Sequence, residues 1–325
     1  MDELQKTLLM QVADLHDVPA GAYNIRANGE AAGRRSTEHI EIVTKEDKPG
    51  IDIYIKPGTK RESVHIPVLM TQTGLKELVY NDFHIGEDCD VTIVAGCGIH
   101  NSGCDSARRD VTIVAGCGIH NGGDKASEHS GIHTFYVGKN AKIRYVEKHY
   151  GTGEGTGERI MNPETVVEMD ENSYMEMDTV QIKGVDSTER VTKAKLGKGA
   201  QLVIKEKLMT HGKQKATTNF YVDLDGEDSS TNVISRSVAK DASEQTFYSH
   251  INGNNKCAGH SECDAIIMDN AVVRAIPEIT ANHLDASLIH EAAIGKIAGE
   301  QLIKLMTLGL TEAEAEEQIV NGFLK

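Results

Sequence analysis

Through the middle of the chain, apolar and polar residues alternate with a period of two, as in Val167-Glu-Met-Asp170, Met175-Glu-Met-Asp178 and Leu202-Val-Ile-Lys-Glu-Lys207. In an extended chain, period two sends successive side chains to opposite faces, so these runs predict strands with one covered face. Similar triplets introduce the runs: a charged residue, then Asn, Asp or Gly, then a small residue. They are Glu87-Asp88-Cys89, Lys139-Asn140-Ala141, Glu171-Asn172-Ser173, Lys198-Gly199-Ala200, Glu227-Asp228-Ser229 and Asp269-Asn270-Ala271. Between middle residues the steps are 52, 32, 27, 29 and 42. A strand repeat of about 30 residues with Gly, Asn and Asp turns predicts a solenoid. No helix-period segment separates successive strands, so the expected class is mainly β, a parallel β-helix in which each coil pairs with the next. An antiparallel sandwich with regularly spaced turns is the alternative that pattern leaves open.

The step of 52 has a visible cause. Residues 90–101 read Asp-Val-Thr-Ile-Val-Ala-Gly-Cys-Gly-Ile-His-Asn, and residues 110–121 repeat them unchanged. Removing that offset of 20 leaves 32, the next interval. A tandem duplication therefore overlies an older, diverged repeat, and a solenoid can take it as a short extra coil or as a protruding loop.

The ends read differently. Residues 1–20 place Leu4, Leu8, Val12 and Leu15 at helical spacing and end at Pro19, which predicts a short amphipathic lead-in helix and no signal peptide. Strands are expected over 21–287. From 288 to 325 the pattern becomes helical, with Ile297, Leu302, Leu305 and Met306 on one stripe and Gly309 at a helix end. A capping box at Thr311-Glu-Ala-Glu314 starts a second helix carrying Ile319, Val320 and Phe323. This helix pair is expected to close the last coil of the β-helix against edge pairing.

Composition narrows the function classes. A net charge of -15 opposes binding to nucleic acid or to anionic membrane surfaces. No apolar run is long enough to span a bilayer. Six cysteines in a chain of this length predict free thiols and a reducing cytoplasm. The loop Gly151-Thr-Gly-Glu-Gly-Thr-Gly157 fits no phosphate-binding motif, because Thr156 or Glu158 stands where glycine is required and no Gly-Lys-Ser/Thr follows. It reads as a flexible loop, so any ATP is expected to be bound by a partner.

Candidate chemistry gathers near the end of the chain. Cys257, His260 and Cys263 form C-x-x-H-x-x-C, and His290-Glu291 follows Cys263 by 27 residues, close to one coil. Thiolate, imidazole and carboxylate together suit iron, an iron–sulfur cluster or zinc. On a strand, residues three apart face opposite ways, so the first three converge only on a turn. The plainer reading of these residues is a buried thiol and a solvated His-Glu pair. His290-Glu291 does not begin a zinc-protease helix, since Ile294 stands where the second His is needed. Cys97-Gly-Ile-His100 and its copy Cys117-Gly-Ile-His120 supply two ligands each and read more simply as turns with a small thiol.

Beyond these local readings, the stretch from His260 onward resembles the core domain of the SufB/SufD family of SUF iron–sulfur cluster assembly. The resemblance rests on Ser261-Glu-Cys263-Asp264-Ala, Ala275-Ile-Pro-Glu-Ile279, Leu288-Ile-His290-Glu291-Ala-Ala, Gly295-Lys-Ile297, Glu300-Gln-Leu302 and Ile319-Val-Asn-Gly-Phe323. It implies a right-handed parallel β-helix followed by helices that dock a SufC-type ATPase. It also implies pairing through the β-helices, with a second copy or with a SufB or SufD paralogue. By position, Cys263 matches the SufB cysteine at the pairing interface, and His290 and Glu291 match the histidine and glutamate implicated in building a transient cluster; Cys257 and His260 are lesser ligand candidates. Two departures from the family pattern are expected: a small form with little of the N-terminal helical region of larger SufB and SufD proteins, and a central stretch, 155–210, without the cysteine that SufB proteins often carry there. The resemblance implies a cytoplasmic scaffold that is not itself an enzyme. A SufD-like partner holding no metal and a carbohydrate-active β-helix using paired carboxylates are the rivals.

Overall fold

The computed structural model describes residues 21–94 and 113–324. The expected helix over 1–20 lies outside the described residues. The chain winds as a β-solenoid of about eight turns. One sheet runs in the order β2 (Glu30–Arg35), β1 (Ala22–Ala27), β5 (Val64–Met70), β8 (Ile113–His120), β10 (Lys142–Thr152), β13 (Tyr174–Lys183), β15 (Gln201–Thr210), β17 (Ser229–Ala239), β19 (Cys257–Ile267), β21 (Ala286–Gly295), and β7 (Asp90–Val94) also pairs with β10. The facing sheet runs β20 (Val272–Ala281), β18 (Glu244–Gly253), β16 (Lys215–Leu224), β14 (Ser187–Leu196), β11 (Arg159–Met161), β9 (Ser127–Val137), β6 (Lys76–Ile85), β4 (Gly50–Ile55), β3 (Ile40–Thr44), and β12 (Glu164–Met169) bridges β14 and β9. Pairing between coils is parallel, as in Tyr174 with Gln201, Gln201 with Ser230 and Cys257 with Ala286. At the N-terminal end two antiparallel hairpins, β1–β2 and β3–β4, replace the coil.

The turn triplets mark one corner of the solenoid. Asp88, Asn140, Asn172, Gly199 and Asp228, the middle residue of each of the first five, all have positive φ. Asp, Asn and Gly tolerate that left-handed conformation best. Each backbone N–H then reaches the next coil, as from Asn172 to the Lys198 carbonyl at 2.8 Å and from Gly199 to that of Glu227 at 2.9 Å. The sixth triplet belongs elsewhere. Asp269 stacks on Asp241 at the opposite corner, with Asn270 N–H donating to the Asp241 carbonyl at 2.8 Å, while Asp228 is followed at its own corner by Lys256. The irregular step of 42 is thus one coil and a half.

The duplication adds no coil among the described residues. β7, from the first copy, pairs with the first half of β10, Asp90 lying opposite Lys142. β8, from the second, pairs with its end, His120 lying opposite Thr152, and with β5 on the other side. The described parts of the two copies, β7 and β8, thus lie along the same edge of β10.

The glycine-rich loop is a packed corner and not the flexible connection expected. Cβ atoms added at Gly153, Gly155 and Gly157 would meet backbone oxygens of Asn121, Gly123 and Lys125 at 2.1, 2.3 and 2.2 Å, so only glycine lets these coils approach. Gly155 and Gly157 donate to the Asn121 and Gly123 carbonyls at 3.1 and 2.9 Å.

Inside, the lumen is divided lengthwise. One half is apolar, filled by Ile143, Met175, Met177, Leu202, Ile204 and Val233 from one sheet and by Phe83, Phe135, Val167 and Phe220 from the other. Phe83 stacks on Phe135 at 4.4 Å and Tyr145 meets Phe135 edge-on at 4.9 Å, each pair contributing about 0.5–1.5 kcal/mol beyond its area. Buried polar side chains line the other half.

The helical segment begins later than 288, since β21 continues to Gly295; α1 spans Gly299–Met306 and α2 Glu312–Phe323. Thr311 caps α2 in the expected capping box with Glu314, and Gly309 takes φ +97 between the helices. The pair does not close the last coil. Val320 and Leu324 pack beside the solenoid on Val238 and Met268, because that corner offers the apolar contact. Consequently β20 and β21 end their sheets uncovered, with Ile276, Ile279, Ile289 and Ile294 exposed.

Candidate functional site

Period-two alternation decides which ligand candidates can meet. On β19, Cys257, Ser261 and Cys263 face the lumen and are buried, whereas His260, Glu262 and Asp264 alternate with them on the outer face. β21 pairs alongside, with Ser261 opposite His290, Glu262 opposite Glu291 and Cys263 opposite Ala292. His290 therefore shares the inner face with Cys263, one diagonal step away. Glu291, its chain neighbour, points outward and lies 3.7 Å from the His260 imidazole.

The expected gathering of Cys263, His290 and Glu291 is accordingly split within one chain. Cys263 and His290 share the inner face, offset by two residues in register; Glu291 joins His260, which also contacts the Asn232 side-chain oxygen at 3.0 Å. Cys257 lies near the start of β19, six residues from Cys263. No three His, Cys, Asp or Glu side chains among the described residues are grouped to hold a single ion. Cys97 and His100 lie outside the described residues, and His120 sits in β8, far along the solenoid from Cys263.

Burial governs the protonation of the inner pair. Desolvation, reinforced by Glu206 and Asp264, pushes the Cys263 thiol up to about 12. His290 is lowered by burial and then by His260, and its Nδ1 is buried without a hydrogen-bond partner. At neutral pH the pair is thus a thiol and a neutral imidazole, the latter ready to donate its lone pair to a metal. The raised thiol also makes stability pH-dependent. Its contribution is fully present below pH 9 and is lost between pH 9 and 12, where the unfolded chain ionises first. Urea midpoints should therefore fall more steeply above pH 9 for the native chain than for Cys263→Ala, and parallel falls would remove the assignment.

Cys263 also ends a polar column that the sequence reading missed. Glu147, Thr179, Glu206, Ser235 and Cys263 occupy one register position on successive strands, all facing the lumen. Ser235 and Thr218 donate to a Glu206 carboxylate oxygen at 2.7 and 3.3 Å. Arg190, fully buried, pairs with Glu147, reaches the His149 ring at 3.2 Å and lies 4.0 Å from Glu206. Burial opposes the charge on Glu147, yet Arg190 and His149 hold it well below the usual carboxylate range. Glu206 is raised by burial, against the pull of Arg190 and its hydroxyl donors. The signal was present: the inward series Ile143, Tyr145, Glu147, His149 continues the strand period without a break. A cavity of about 20 Å³ among His129, His133, Glu147 and His149 has room for a single water.

These features define a parallel β-solenoid with an uncovered C-terminal coil, a buried thiol and a half-buried imidazole at that end, and two helices at its side. A profile described as "SUF system FeS cluster assembly, SufBD core domain" matches residues 106–323, and the chain belongs to the SufBD family. An iron-sulfur cluster assembly SufBD family protein of Archaeoglobus fulgidus is 30% identical over 293 residues, 89% of this chain and 71% of the relative. Another, from Methanocaldococcus jannaschii, is 26% identical over 288 residues, 88% and 84% of the two chains. The iron-sulfur cluster assembly protein SufB of Bacillus subtilis is 36% identical over 100 residues, 30% of this chain and 22% of SufB. No helix among the described residues is long and apolar enough to cross a membrane.

Proposed function

We propose that this chain is a cytoplasmic scaffold, not itself an enzyme, on which iron and sulfide are built into a transient cluster, working with a SufC-type ATPase. The observation that carries the reading is the placement of Cys263 and His290 on the shared inner face of the last two coils, one diagonal step apart, at the uncovered end. The cluster is cargo, and a thiolate with a neutral imidazole suits iron and iron–sulfur ligation. Because Glu291 faces away from Cys263 in the same chain, the ligand set is completed across a pairing surface, by a second copy or a SufB or SufD paralogue meeting β20 and β21. Cys263 surrenders its proton when metal binds, so loading rises with pH. The nucleotide belongs to the ATPase, whose docking surface is α1.

Anaerobic reconstitution with iron and sulfide tests this. The native chain should develop visible absorption and Cys263→Ser should lose most of it; equal loading of the two proteins would remove Cys263 from the site. A second reading, a SufD-like partner that binds the ATPase and holds no cluster, is favoured by the deep burial of Cys263 and the outward turn of Glu291. Metal-free protein after anaerobic purification, together with failed reconstitution, would establish it instead.

A further inference from the structure

We propose that His260 and Glu291 form a docking site for a divalent transition-metal ion on the outer face of the last two coils, distinct from the Cys263 and His290 pair inside. Both side chains leave the sheet on the same side, His260 from β19 and Glu291 from β21, two residues apart in register. The His260 Nε2 and a Glu291 carboxylate oxygen stand 3.7 Å apart. That is too long for a direct hydrogen bond, so the two atoms do not satisfy each other. It is close to the span of about 3.4 Å between two ligands of a tetrahedral ion with bonds of about 2.1 Å.

The imidazole is already turned for this role. Its Nδ1 lies 3.0 Å from the Asn232 side-chain oxygen, which only accepts, so Nδ1 carries the proton and the Nε2 lone pair of the neutral ring faces Glu291. Ligating histidines are oriented by such a hydrogen bond through the other ring nitrogen. The surroundings add negative charge: Glu262 stands opposite Glu291, and Asp264 follows on the same face, opposite Arg236. A groove of about 330 Å³ lined by Asn232, His260, Ser287 and Ile289 opens beside the ring, with room for the water that completes the coordination of an ion held by two side chains. Imidazole nitrogen and carboxylate oxygen together favour ferrous iron, cobalt or zinc over magnesium and calcium. Cys263 cannot take part from the same chain, because it is buried on the opposite face of β19. The use of this ion in cluster building rests on the proposed function; the capacity to bind it does not.

Cobalt(II) is the probe, titrated anaerobically into the metal-free full-length chain and followed by calorimetry and absorption. One ion should bind per chain, with the weak visible bands of nitrogen and oxygen ligands and without the intense near-ultraviolet band of a cobalt–thiolate bond. His260→Ala and Glu291→Gln should each weaken binding about tenfold or more, and Asn232→Leu by about tenfold, the cost of losing the hydrogen bond that orients a ligating imidazole. All three side chains lie on the outer face, so an unchanged melting midpoint verifies that each variant is folded. The proposal fails if the native chain takes up no cobalt, if either His260→Ala or Glu291→Gln binds as tightly as the native chain, or if the thiolate band appears, which would put the ion at Cys263. Failed cluster reconstitution with this cobalt binding intact would overturn the scaffold reading and leave the outer site standing.

Discussion

Arg190→Met is expected to cost about 3–5 kcal/mol of stability, read as the shift in the urea midpoint at constant slope. Arg190 is the cation between two buried carboxylates, Glu147 and Glu206, which stand two coils apart in the polar column with Thr179 between them. Methionine keeps much of the volume but leaves Glu206 without a counter-charge and Glu147 with only its histidine neighbours, and an uncompensated buried charge is far more costly than the intact pair is favourable. The pH dependence then changes sign. In the native protein Glu147 is held well below the usual range, so its contribution is present above pH 4.5 and is lost as pH falls through its folded value. In the variant both carboxyls are raised, so their contribution is present below pH 4.5 and is lost as pH rises. The stability gap between the two proteins should therefore narrow from pH 7 to pH 5. A gap independent of pH would mean that Arg190 acts by packing alone.

The second large effect concerns the side helices. Ile303 on α1 and Leu308 just beyond it are 63% and 76% exposed, and α1 buries no residue of its own. Exposed large apolar side chains on an amphipathic helix mark a docking surface. If α1 receives the ATPase, the double variant Ile303→Glu with Leu308→Glu should weaken SufC-type ATPase binding by about 30-fold or more, the loss of a hot-spot residue, measured by calorimetry. Circular dichroism and the melting midpoint should not move, because neither side chain packs on the solenoid. Unchanged affinity would place the docking surface elsewhere.

Much of the fold was legible because its causes are local. Alternation in Met175-Glu-Met-Asp178 and Leu202-Val-Ile-Lys205 dictated strands, Asn140, Asn172 and Gly199 dictated corners through their tolerance of positive φ, and Thr311 with Glu314 started α2. The candidate site was legible in its residues but not in its geometry. His290 and Glu291 are adjacent in the chain, and a strand must send them to opposite faces; which face meets Cys263 depends on the pairing of β19 with β21. The polar column from Glu147 to Cys263 escaped notice for a related reason. A charged residue inside an alternating run reads as outward-facing until its register neighbours are known.

By itself, then, the sequence determined the coil length, the corner residues and the β-helical class, because each follows from backbone preference within a few residues, and it named the candidate ligands by residue type alone. Only the tertiary structure decided that Glu291 faces away from Cys263, that the helices lie beside the last coil, and that β7 and β8 both pair with β10. Those outcomes rest on contacts between coils some thirty residues apart, where stacking register and available apolar surface, not local propensity, select the arrangement.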